Sequence, residues 1–287
     1  MTSKELTIIS VSYNAFEYTD KWIASILENP PHCSFEIIIV DNGSSKETLD
    51  KIKKLIISVG KRLDLKLITC STNLGFAKAN NIAFSNSNGK FILFMNNDTL
   101  LAKDSIDKLL TNPNLDKSIG IVGPKLLNQD LTFQPQCKRG IPTIWNSFCY
   151  ILKLYILFPK SIIFGQYLQT YIDENEIADV PAISGACMMI RRDIFQLAGG
   201  FDERYFMHFE DIDLCMRVKE IGFRVVYYPK SEIIHYKSGS SSGGSKSKKY
   251  FYDSMLNFYE KNLEFNYNKV INLLVKKLIN FMRRIAK

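Results

Sequence analysis

Apolar and amphipathic segments alternate along the first 125 residues of the chain. Five short apolar runs have the length and the branched-residue content of strands, and they are Leu6–Val11, Phe35–Val40, Leu65–Cys70, Lys90–Met95 and Gly120–Val122. Four segments between them place apolar residues at helical spacing, and they are Glu17–Leu27, Lys46–Val59, Ala77–Phe84 and Lys103–Leu110. This alternation predicts an α/β fold with a mostly parallel central sheet flanked by helices.

The second half of the chain is less regular, and its pattern resumes at the apolar segment Val180–Arg191. We predict a helix over Asp211–Ile221 and strands over Phe223–Tyr228 and around Ile233–His235. The segment Ser238–Ser247 is rich in Ser and Gly, which is typical of a flexible loop that can order over a phosphate.

The segment Ile144–Phe164 is very apolar, but Lys153, Pro159 and Lys160 divide it into pieces that are too short to span a bilayer. Two interpretations stay open: a buried subdomain, or a patch that lies at a membrane interface.

The last residues, 265–287, form a basic amphipathic tail with six cations and no acid, and they account for most of the net charge of +8. Apolar residues share one face of the predicted helix: Ile271, Leu274, Val275, Leu278, Met282 and Ile285. Polar residues share the other: Lys269, Lys276, Asn280, Arg283 and Lys287. This pattern predicts a helix in a membrane interface, with docking on the protein's own core or a contact in a homodimer as alternatives.

Charge and cysteine content narrow the class of protein. Because the excess charge is confined to the tail, the body lacks the basic footprint of a nucleic-acid-binding protein, and we expect no nucleic-acid partner. The six cysteines are scattered without a CxxC pair, which is typical of reduced thiols. The first residues lack the pattern of a signal peptide. We therefore expect a cytoplasmic protein.

Polar residues follow four of the predicted strands directly. The clusters are Ser12-Tyr13-Asn14, Asp41-Asn42-Gly43-Ser44, Thr72-Asn73-Leu74-Gly75 and Asn96-Asn97-Asp98. Each cluster taken alone is also typical of an ordinary loop. Because ligands of open parallel sheets bind at the carboxyl ends of strands, we expect the four clusters to face one crevice.

Three further features suggest chemistry at that crevice. Asp98 could help a divalent cation to neutralise a diphosphate, although an acid in a turn is often only structural. Glu210 and Asp211 begin a helix that they stabilise through its dipole, and either carboxylate could remove a proton from a hydroxyl. His235 is one of three histidines and is either a metal ligand or a hydrogen-bonded core residue.

Seven motifs in order resemble the inverting family 2 glycosyltransferases of the A-type fold, and specifically their bacterial rhamnosyltransferase-like branch. The motifs are TIISVSYN, IIIVDNGSSKET, NLGFAKANNIAF, FILFMNNDT, IGIVGPKLL, SGACMMIRRDIFQLAGGFDERYFMHFEDIDLCMRV and IIHYKSGSS. The likeness runs from Leu6 to Asn262. It implies that residues 1–125 bind the nucleotide sugar and that residues 126–264 bind the acceptor and carry catalysis. Residues 265–287 lie outside the likeness and are the helical extension that the amphipathic pattern predicts.

The resemblance also implies roles for single residues. Those along the nucleotide sugar are Ser12, Tyr13, Asp41, Asn73, Gly75, Asn81 and Asn97. Asp98, His235 and Asn96 would form the site of a divalent cation, Mn²⁺ or Mg²⁺, although Asn96 replaces the first acid of the family's DXD motif. Asp211 would be the catalytic base, oriented by Glu210, and Asp202 would contact the acceptor.

The donor and acceptor follow from the resemblance alone. It favours transfer of rhamnose from dTDP-rhamnose to a lipid-linked cell-surface glycan precursor, or another oligosaccharide acceptor, by an enzyme bound to the inner face of the cell membrane. A UDP-hexose or UDP-galactofuranose donor stays open. A non-catalytic nucleotide-sugar or glycan binder is a second class, favoured only by Asn96. A nucleotidyltransferase would show a basic, Gly-rich triphosphate loop near its start, which is absent.

Overall fold

The computed structural model describes residues 4–236 and 245–285, apart from the side chains of residues 112–115 and 245–246. The described strands are β1 Lys4–Ser12, β2 Phe35–Asp41, β3 Leu65–Thr69, β4 Gly89–Met95, β5 Thr99–Leu101, β6 Ile119–Leu127, β7 Lys138–Arg139, β8 Ala178–Asp179, β9 Ala182–Ile183, β10 Cys187–Arg191 and β11 Arg224–His235. The described α-helices are α1 Phe16–Glu28, α2 Lys46–Val59, α3 Phe76–Ser85, α4 Ser105–Leu115, α5 Ile144–Ile151, α6 Leu154–Leu157, α7 Arg192–Leu197, α8 Glu210–Glu220, α9 Ser245–Asn262 and α10 Lys269–Ile285.

The first half of the central sheet is parallel and has the order β3-β2-β1-β4. Its strands are apolar on both faces because helices cover them, and Ile8, Ile38 and Phe94 are among the side chains that are fully buried. All nine predicted elements of the first 125 residues are confirmed, although Gly120–Val122 is only the first part of the longer strand β6.

The second half of the sheet is mixed. Strand β10 inserts antiparallel between β4 and β6, β11 then pairs parallel with β6, and β5 and β8 pair antiparallel with β11. The α/β fold class is thus confirmed, with antiparallel strands added to a parallel core. The insertion brings the residues before β10 to the carboxyl end of β4, which is where the sequence predicts ligand-binding side chains.

Two predicted strands are joined in the structure. Phe223–Tyr228 and Ile233–His235 belong to the single strand β11, whose register shifts between Tyr228 and Glu232. The polar residues between the two segments predict an interruption of the strand. In the structure Ser231 is fully buried, and its hydroxyl donates to the Ser105 carbonyl oxygen at 2.8 Å. A buried polar residue that finds a partner in another element is not visible in local hydrophobicity.

The predicted loop Ser238–Ser247 falls mostly outside the described residues. Positions 238–244 are not described, and the last three positions of the prediction form the start of α9.

The apolar segment Ile144–Phe164 forms α5, α6 and the turns around them. Its interpretation as a buried subdomain is wrong, because most of its large side chains are exposed. Those exposed are Trp145, Phe148, Tyr150, Ile151, Leu152, Ile156, Leu157, Phe158, Ile162 and Ile163.

The tail contains the predicted helix, which is α10 and packs along α9. Ile279 is buried in this contact, and the Tyr259 hydroxyl donates to Asn272 Oδ1 at 2.6 Å. Two cations that were expected on its free polar face are instead paired with acids: Lys276 with Glu260 and Glu264, and Arg283 with Asp253. Within the described residues, every helix is too short or too polar to cross a bilayer.

Candidate active site

The loops after β1 and β2 lie side by side and are tied to each other. The backbone N–H of Asn42 donates to the Ser12 carbonyl oxygen at 2.8 Å. Asp41 is buried, and one of its carboxylate oxygens, Oδ2, accepts the Ser44 N–H at 3.2 Å. Its other oxygen, Oδ1, is buried without a partner among the described residues. A carboxylate oxygen in that state is available to a ligand hydroxyl or N–H.

Asn73 and Gly75 form a turn that the side chain of Asn42 holds from below. Asn42 Nδ2 donates to Asn73 Oδ1 at 3.0 Å and to the Gly75 carbonyl oxygen at 3.2 Å. Gly75 has φ +83°, and a Cβ there would collide with the backbone of Phe206. The glycine is therefore required for the turn and for its close approach to the loop that precedes α8.

Ser12 and Asn97 lie together behind the crevice. Asn97 Nδ2 donates to Thr19 Oγ1 at 2.9 Å and to Ser12 Oγ at 3.3 Å, which ties the end of β4 to the start of α1. Both side chains are buried, whereas the neighbouring ring of Tyr13 is 49% exposed. Of these three predicted residues, Tyr13 is the one that offers a free surface to a ligand.

Asp202 lies in the loop between α7 and α8, and Asn81 of α3 contacts that loop. The Asn81 amide accepts the Phe201 N–H at 3.0 Å and donates to the Phe201 carbonyl oxygen at 2.8 Å, so it holds this loop against α3. Asp202 is bonded to Arg204 and Lys261. Burial alone would raise the pKa of Asp202, but these two cations hold it well below its usual range. Both side chains thus have structural partners.

Asp98 and His235 are adjacent at the ends of β4 and β11. His235 Nε2 lies 3.4 Å from Asp98 Oδ1, and both side chains are nearly buried. The backbone fixes this pairing, since the Tyr236 N–H donates to the Asp98 carbonyl oxygen at 2.8 Å. Asn96 is also at this end, where its N–H donates to the Ala186 carbonyl oxygen at 2.9 Å.

Gln134 orients the imidazole of His235. Its amide nitrogen donates to the carbonyl oxygens of Leu127 and His235, at 3.2 and 2.7 Å, so its oxygen must be the atom that faces His235 Nδ1 at 3.0 Å. An amide oxygen only accepts, so Nδ1 carries a proton, and in the neutral imidazole the Nε2 lone pair therefore points towards Asp98. A nitrogen lone pair and a carboxylate oxygen that face each other can bind one cation between them. A metal-bound histidine commonly donates its other ring N–H to a hydrogen-bond acceptor, as His235 does to Gln134. The side chains present therefore fit a divalent cation.

Asp211 is held from two sides at the start of α8. Arg139 Nη2 forms an ion pair with Asp211 Oδ2, and the Gly185 N–H donates to the same oxygen at 2.8 Å. The second oxygen, Oδ1, accepts the N–H of Ile212 at 2.8 Å. Burial would lower the pKa of Arg139, but the charge of Asp211 raises it, so the guanidinium stays charged. The contacts fix the carboxylate in one orientation.

Glu210, next to Asp211 at the start of α8, has a less polar environment. It is buried, and its Oε2 lacks a hydrogen-bond partner among the described residues. Burial, with a smaller contribution from the charge of Asp211, raises the pKa of Glu210 to about 8. The backbone before it is strained, because His208 and Phe209 both have positive φ, at 74° and 69°. Paired carboxyl groups in unlike environments and strained backbone are typical of functional sites.

A short chain of contacts joins the two acidic centres. The Asp211 carboxylate accepts a hydrogen bond from the Gly185 N–H. Gly185 is followed by Ala186, whose carbonyl oxygen accepts the Asn96 N–H, and Asn96 lies two positions before Asp98. The insertion of β10 beside β4 creates this connection. The structure thereby places Asp211 at the strand end that carries Asp98 and His235.

Gln134 and Arg139 were missed in the sequence. The sequence gives a weak indication for Arg139. It follows Lys138 in a stretch without acids, from Leu131 to Ile172, so any carboxylate that pairs with it must come from another part of the chain. Gln134 had no such indication, because a single amide among uncharged residues carries no pattern.

Comparison with known proteins identifies the family to which the chain is similar. Residues 7–197 match the model of the family described as Glycosyl transferase family 2. The chain is 26% identical over 250 residues to an N-acetylglucosaminyl-diphospho-decaprenol L-rhamnosyltransferase of Mycobacterium tuberculosis, across 82% of this chain and 77% of the relative. It is 28% identical to the rhamnosyltransferase WbbL of Escherichia coli K12, across 80% of this chain and 82% of that protein.

A solved structure has the same fold. The chain superposes on a mannosyltransferase from Pyrobaculum calidifontis in complex with GDP-Man and Mn²⁺, with a TM-score of 0.64 and 15% identity. The match covers all of this chain and 74% of the mannosyltransferase. At this identity the likeness concerns the fold.

Proposed function

The chain belongs to glycosyl transferase family 2, and we propose that it transfers a sugar, with inversion, from a nucleotide diphosphate to a hydroxyl of a lipid-linked cell-surface glycan precursor. The observation that carries the proposal is the oriented Asp211 carboxylate beside the strand end that holds Asp98 and His235. In this proposal residues 1–125 bind the donor, and residues 126–264 bind the acceptor and supply the base.

Asp211 accepts the proton of the acceptor hydroxyl as that oxygen attacks the anomeric carbon. The ion pair with Arg139 and the Gly185 N–H hold Oδ2, so the carboxylate cannot turn away from the hydroxyl. Attack on the face opposite the diphosphate inverts the anomeric centre in one displacement. Glu210 lies next to the base, and its raised pKa leaves it mostly protonated at neutral pH, so it adds little repulsion to the Asp211 charge.

Asp98 and His235 would hold a divalent cation, with Asn96 beside them. A bound cation supplies positive charge that neutralises the diphosphate and stabilises it as the leaving group. The chain's own part is to keep the ligand atoms in place: Gln134 fixes the imidazole, and the Tyr236 N–H fixes the backbone of Asp98. The Mn²⁺ in the solved mannosyltransferase supports this part of the proposal, for Mn²⁺ or Mg²⁺ alike.

We assign dTDP-rhamnose as the donor because two relatives are named as rhamnosyltransferases. Asp41 Oδ1 would accept from the nucleoside, and Tyr13 would cover it. The lipid-linked acceptor is supported by the name of the mycobacterial relative, a transferase for a decaprenol diphosphate. A thermal-shift screen of dTDP-rhamnose against UDP-hexoses and UDP-galactofuranose tests the donor, because a ligand of the native state raises the melting temperature.

A lipid-linked acceptor would place the enzyme on the inner face of the cell membrane. Helix α10 supports this part of the proposal, because it exposes Val270, Leu273, Leu274, Leu278 and Phe281. Its exposed cations Lys269, Lys277 and Arg284 would face anionic headgroups.

The variant Asp211→Asn tests the function. We expect it to bind the donor with unchanged affinity and to lose about 10²- to 10⁴-fold in transfer rate, which is the usual contribution of a general base. Transfer from a radiolabelled donor gives the rate, and the thermal shift with donor gives binding. The control is Asp193→Asn, which neutralises an exposed acid of α7 that pairs with Arg191. Full transfer by Asp211→Asn would refute the assigned base, and no transfer by the unmodified chain with any donor would favour a non-catalytic binder.

A further inference from the structure

Helix α5 exposes its apolar side and buries polar and small residues. Asn146 and Cys149 face the protein, where Asn146 Nδ2 donates to the Ile141 carbonyl oxygen at 2.7 Å. Trp145 and Phe148, on the other side, are each 48% exposed, and Ile151 is 73% exposed. A surface helix of a water-soluble domain normally has the opposite orientation. This reversal indicates that something apolar covers α5.

The exposed surface continues through α6 and the turns beside it. Leu157 is 70% exposed, Ile162 63% and Ile163 61%. The segment is nevertheless held in one arrangement, because Trp145 Nε1 donates to the Ile163 carbonyl oxygen at 3.2 Å and the Trp145 and Phe148 rings stack. We call residues 145–163 the α5–α6 surface. Ten large apolar side chains are exposed within these nineteen residues, which is a different pattern from the singly scattered exposed residues that every protein has.

The charges around the α5–α6 surface suit an anionic partner. Lys153 and Lys160 are its charged residues, both are exposed, and neither forms an ion pair with a carboxylate of the described residues. The sequence has no acid between Leu131 and Ile172. Exposed aliphatic residues with Trp, Tyr and Lys at their edges are the composition that inserts into the headgroup region of a bilayer. A protein–protein interface normally has a polar rim, whereas the charged residues of this surface are two lysines alone.

Both ends of this segment are attached beside Asp211. On its N-terminal side, Arg139 pairs with Asp211, and the Gly140 N–H donates to the Tyr167 carbonyl oxygen at 2.7 Å. On its C-terminal side, the carbonyl oxygens of Gln169 and Ile172 accept from the buried Lys138 ammonium at 2.7 and 2.9 Å. The segment that carries the α5–α6 surface thus begins and ends next to strand β7, whose Arg139 orients the Asp211 carboxylate.

We propose that the α5–α6 surface inserts into an anionic lipid bilayer and holds the Asp211 side of the crevice against the membrane. Lys153 and Lys160 contact the headgroups, and the exposed apolar side chains enter the boundary with the acyl chains. The acceptor part of this inference rests on the proposed function: a lipid-linked sugar would then reach Asp211 while its lipid stays in the bilayer. This contact is separate from that of α10.

The chain contains its own probe of the contact. Of its two tryptophans, Trp145 lies in the α5–α6 surface and is 48% exposed, whereas Trp22 is fully buried in the core. Vesicles of phosphatidylcholine and phosphatidylglycerol with brominated acyl chains should quench Trp145 fluorescence and leave that of Trp22. We expect a blue shift of the emission on binding to unbrominated vesicles. Unchanged Trp145 emission with vesicle-bound protein would overturn the proposal.

Three matched aspartate variants locate the contact. Ile151→Asp places a charge on the α5–α6 surface, Leu274→Asp places one on α10, and Ile57→Asp places one on α2, at residues that are 73%, 62% and 78% exposed. We expect Ile151→Asp to weaken binding to anionic vesicles about tenfold, because the charge opposes insertion, and Ile57→Asp to leave it unchanged. Equal binding by Ile151→Asp and Ile57→Asp would contradict the proposal. So would a dimer in lipid-free solution that Ile151→Asp alone dissociates, since a second copy would then cover the surface.

The vesicle measurements need neither donor nor acceptor, so their failure leaves the proposed function intact. Conversely, if Ile151→Asp loses vesicle binding and no donor supports transfer by the unmodified chain, the membrane contact stands and the proposed function fails.

Discussion

The two acidic centres of the crevice are held in opposite ways. At the ends of β4 and β11, Asp98 and His235 bring two electron-pair donors to within 3.4 Å, and the neutral amide of Gln134 fixes the imidazole. At the start of α8, a charged guanidinium, that of Arg139, already balances the Asp211 carboxylate. The first centre has the chemistry to attract a cation, and the second has the chemistry to keep one carboxylate in place. In the proposed function, this contrast assigns metal binding to the first centre and proton transfer to the second.

The variant Arg139→Met breaks the second centre and should have the largest effect on stability. Removing one partner of a buried ion pair leaves the other charge uncompensated, which costs about 3–5 kcal/mol. Glu210 and Asp211 would then lie side by side without a nearby cation. We expect urea unfolding to show this loss, and the control Arg191→Met, which removes a pair with the exposed Asp193, to cost under about 1 kcal/mol.

If both arginine variants lose the same free energy of unfolding, the ion pair of Arg139 with Asp211 stabilises the chain no more than an exposed ion pair does. The double variant Arg139→Met with Asp211→Asn sharpens the test. It should recover part of the lost stability, because the uncompensated carboxylate is gone.

Sequence reasoning predicted one centre of the site more completely than the other. The strand ends could be predicted because hydrophobic periodicity is local, so the polar residues after β1, β2 and β4 could be assigned to one edge. What those side chains bind was not visible. Asn81 holds Phe201, which is 120 positions further along the chain, and Ser12 is bonded to Asn97 and Thr19.

The neighbours of Asp211 were beyond local patterns for the same reason. Arg139 comes from a stretch without periodicity, and Gly185 is placed by the antiparallel insertion of β10, which no alternation of strands and helices indicates. The orientation of α5 was also unpredictable. Its apolar residues are as typical of a protein core as of a membrane contact. Only the exposure of these side chains in the structure distinguishes the two interpretations.

The variant Gln134→Met tests the first centre and should have an intermediate effect. Methionine fills a similar volume but accepts no strong hydrogen bond, so the His235 Nδ1–H loses its fixed partner. We expect the affinity for Mn²⁺ in the presence of dTDP to fall about 10- to 100-fold, which is typical when the partner of a metal-bound histidine is removed. Electron paramagnetic resonance of free Mn²⁺ measures the affinity.

Two further readouts separate orientation from general damage. The ¹⁵N shifts of His235 should show one tautomer in the unmodified chain and a mixture in Gln134→Met. The control Gln196→Met changes an exposed glutamine on α7 and should alter neither readout. Unchanged Mn²⁺ affinity together with a single tautomer in Gln134→Met would contradict the orienting role.

The variant Glu210→Gln tests the neighbour of Asp211 through the pH dependence of stability, whose sign is fixed. The folded chain keeps the Glu210 proton up to a pKa of about 8, whereas an ordinary glutamate loses it near 4.5. Between these pH values the folded state binds the extra proton, so the free energy of unfolding falls as pH rises, by at most about 1.4 kcal/mol per pH unit, and levels off above the folded pKa. Glutamine cannot titrate, so the variant should show a flatter profile in urea unfolding between pH 5 and 8, about the window that the two pKa values define. A parallel pair of profiles would mean that Glu210 is ionised in the folded chain, and the two carboxylates would then share the single positive charge of Arg139.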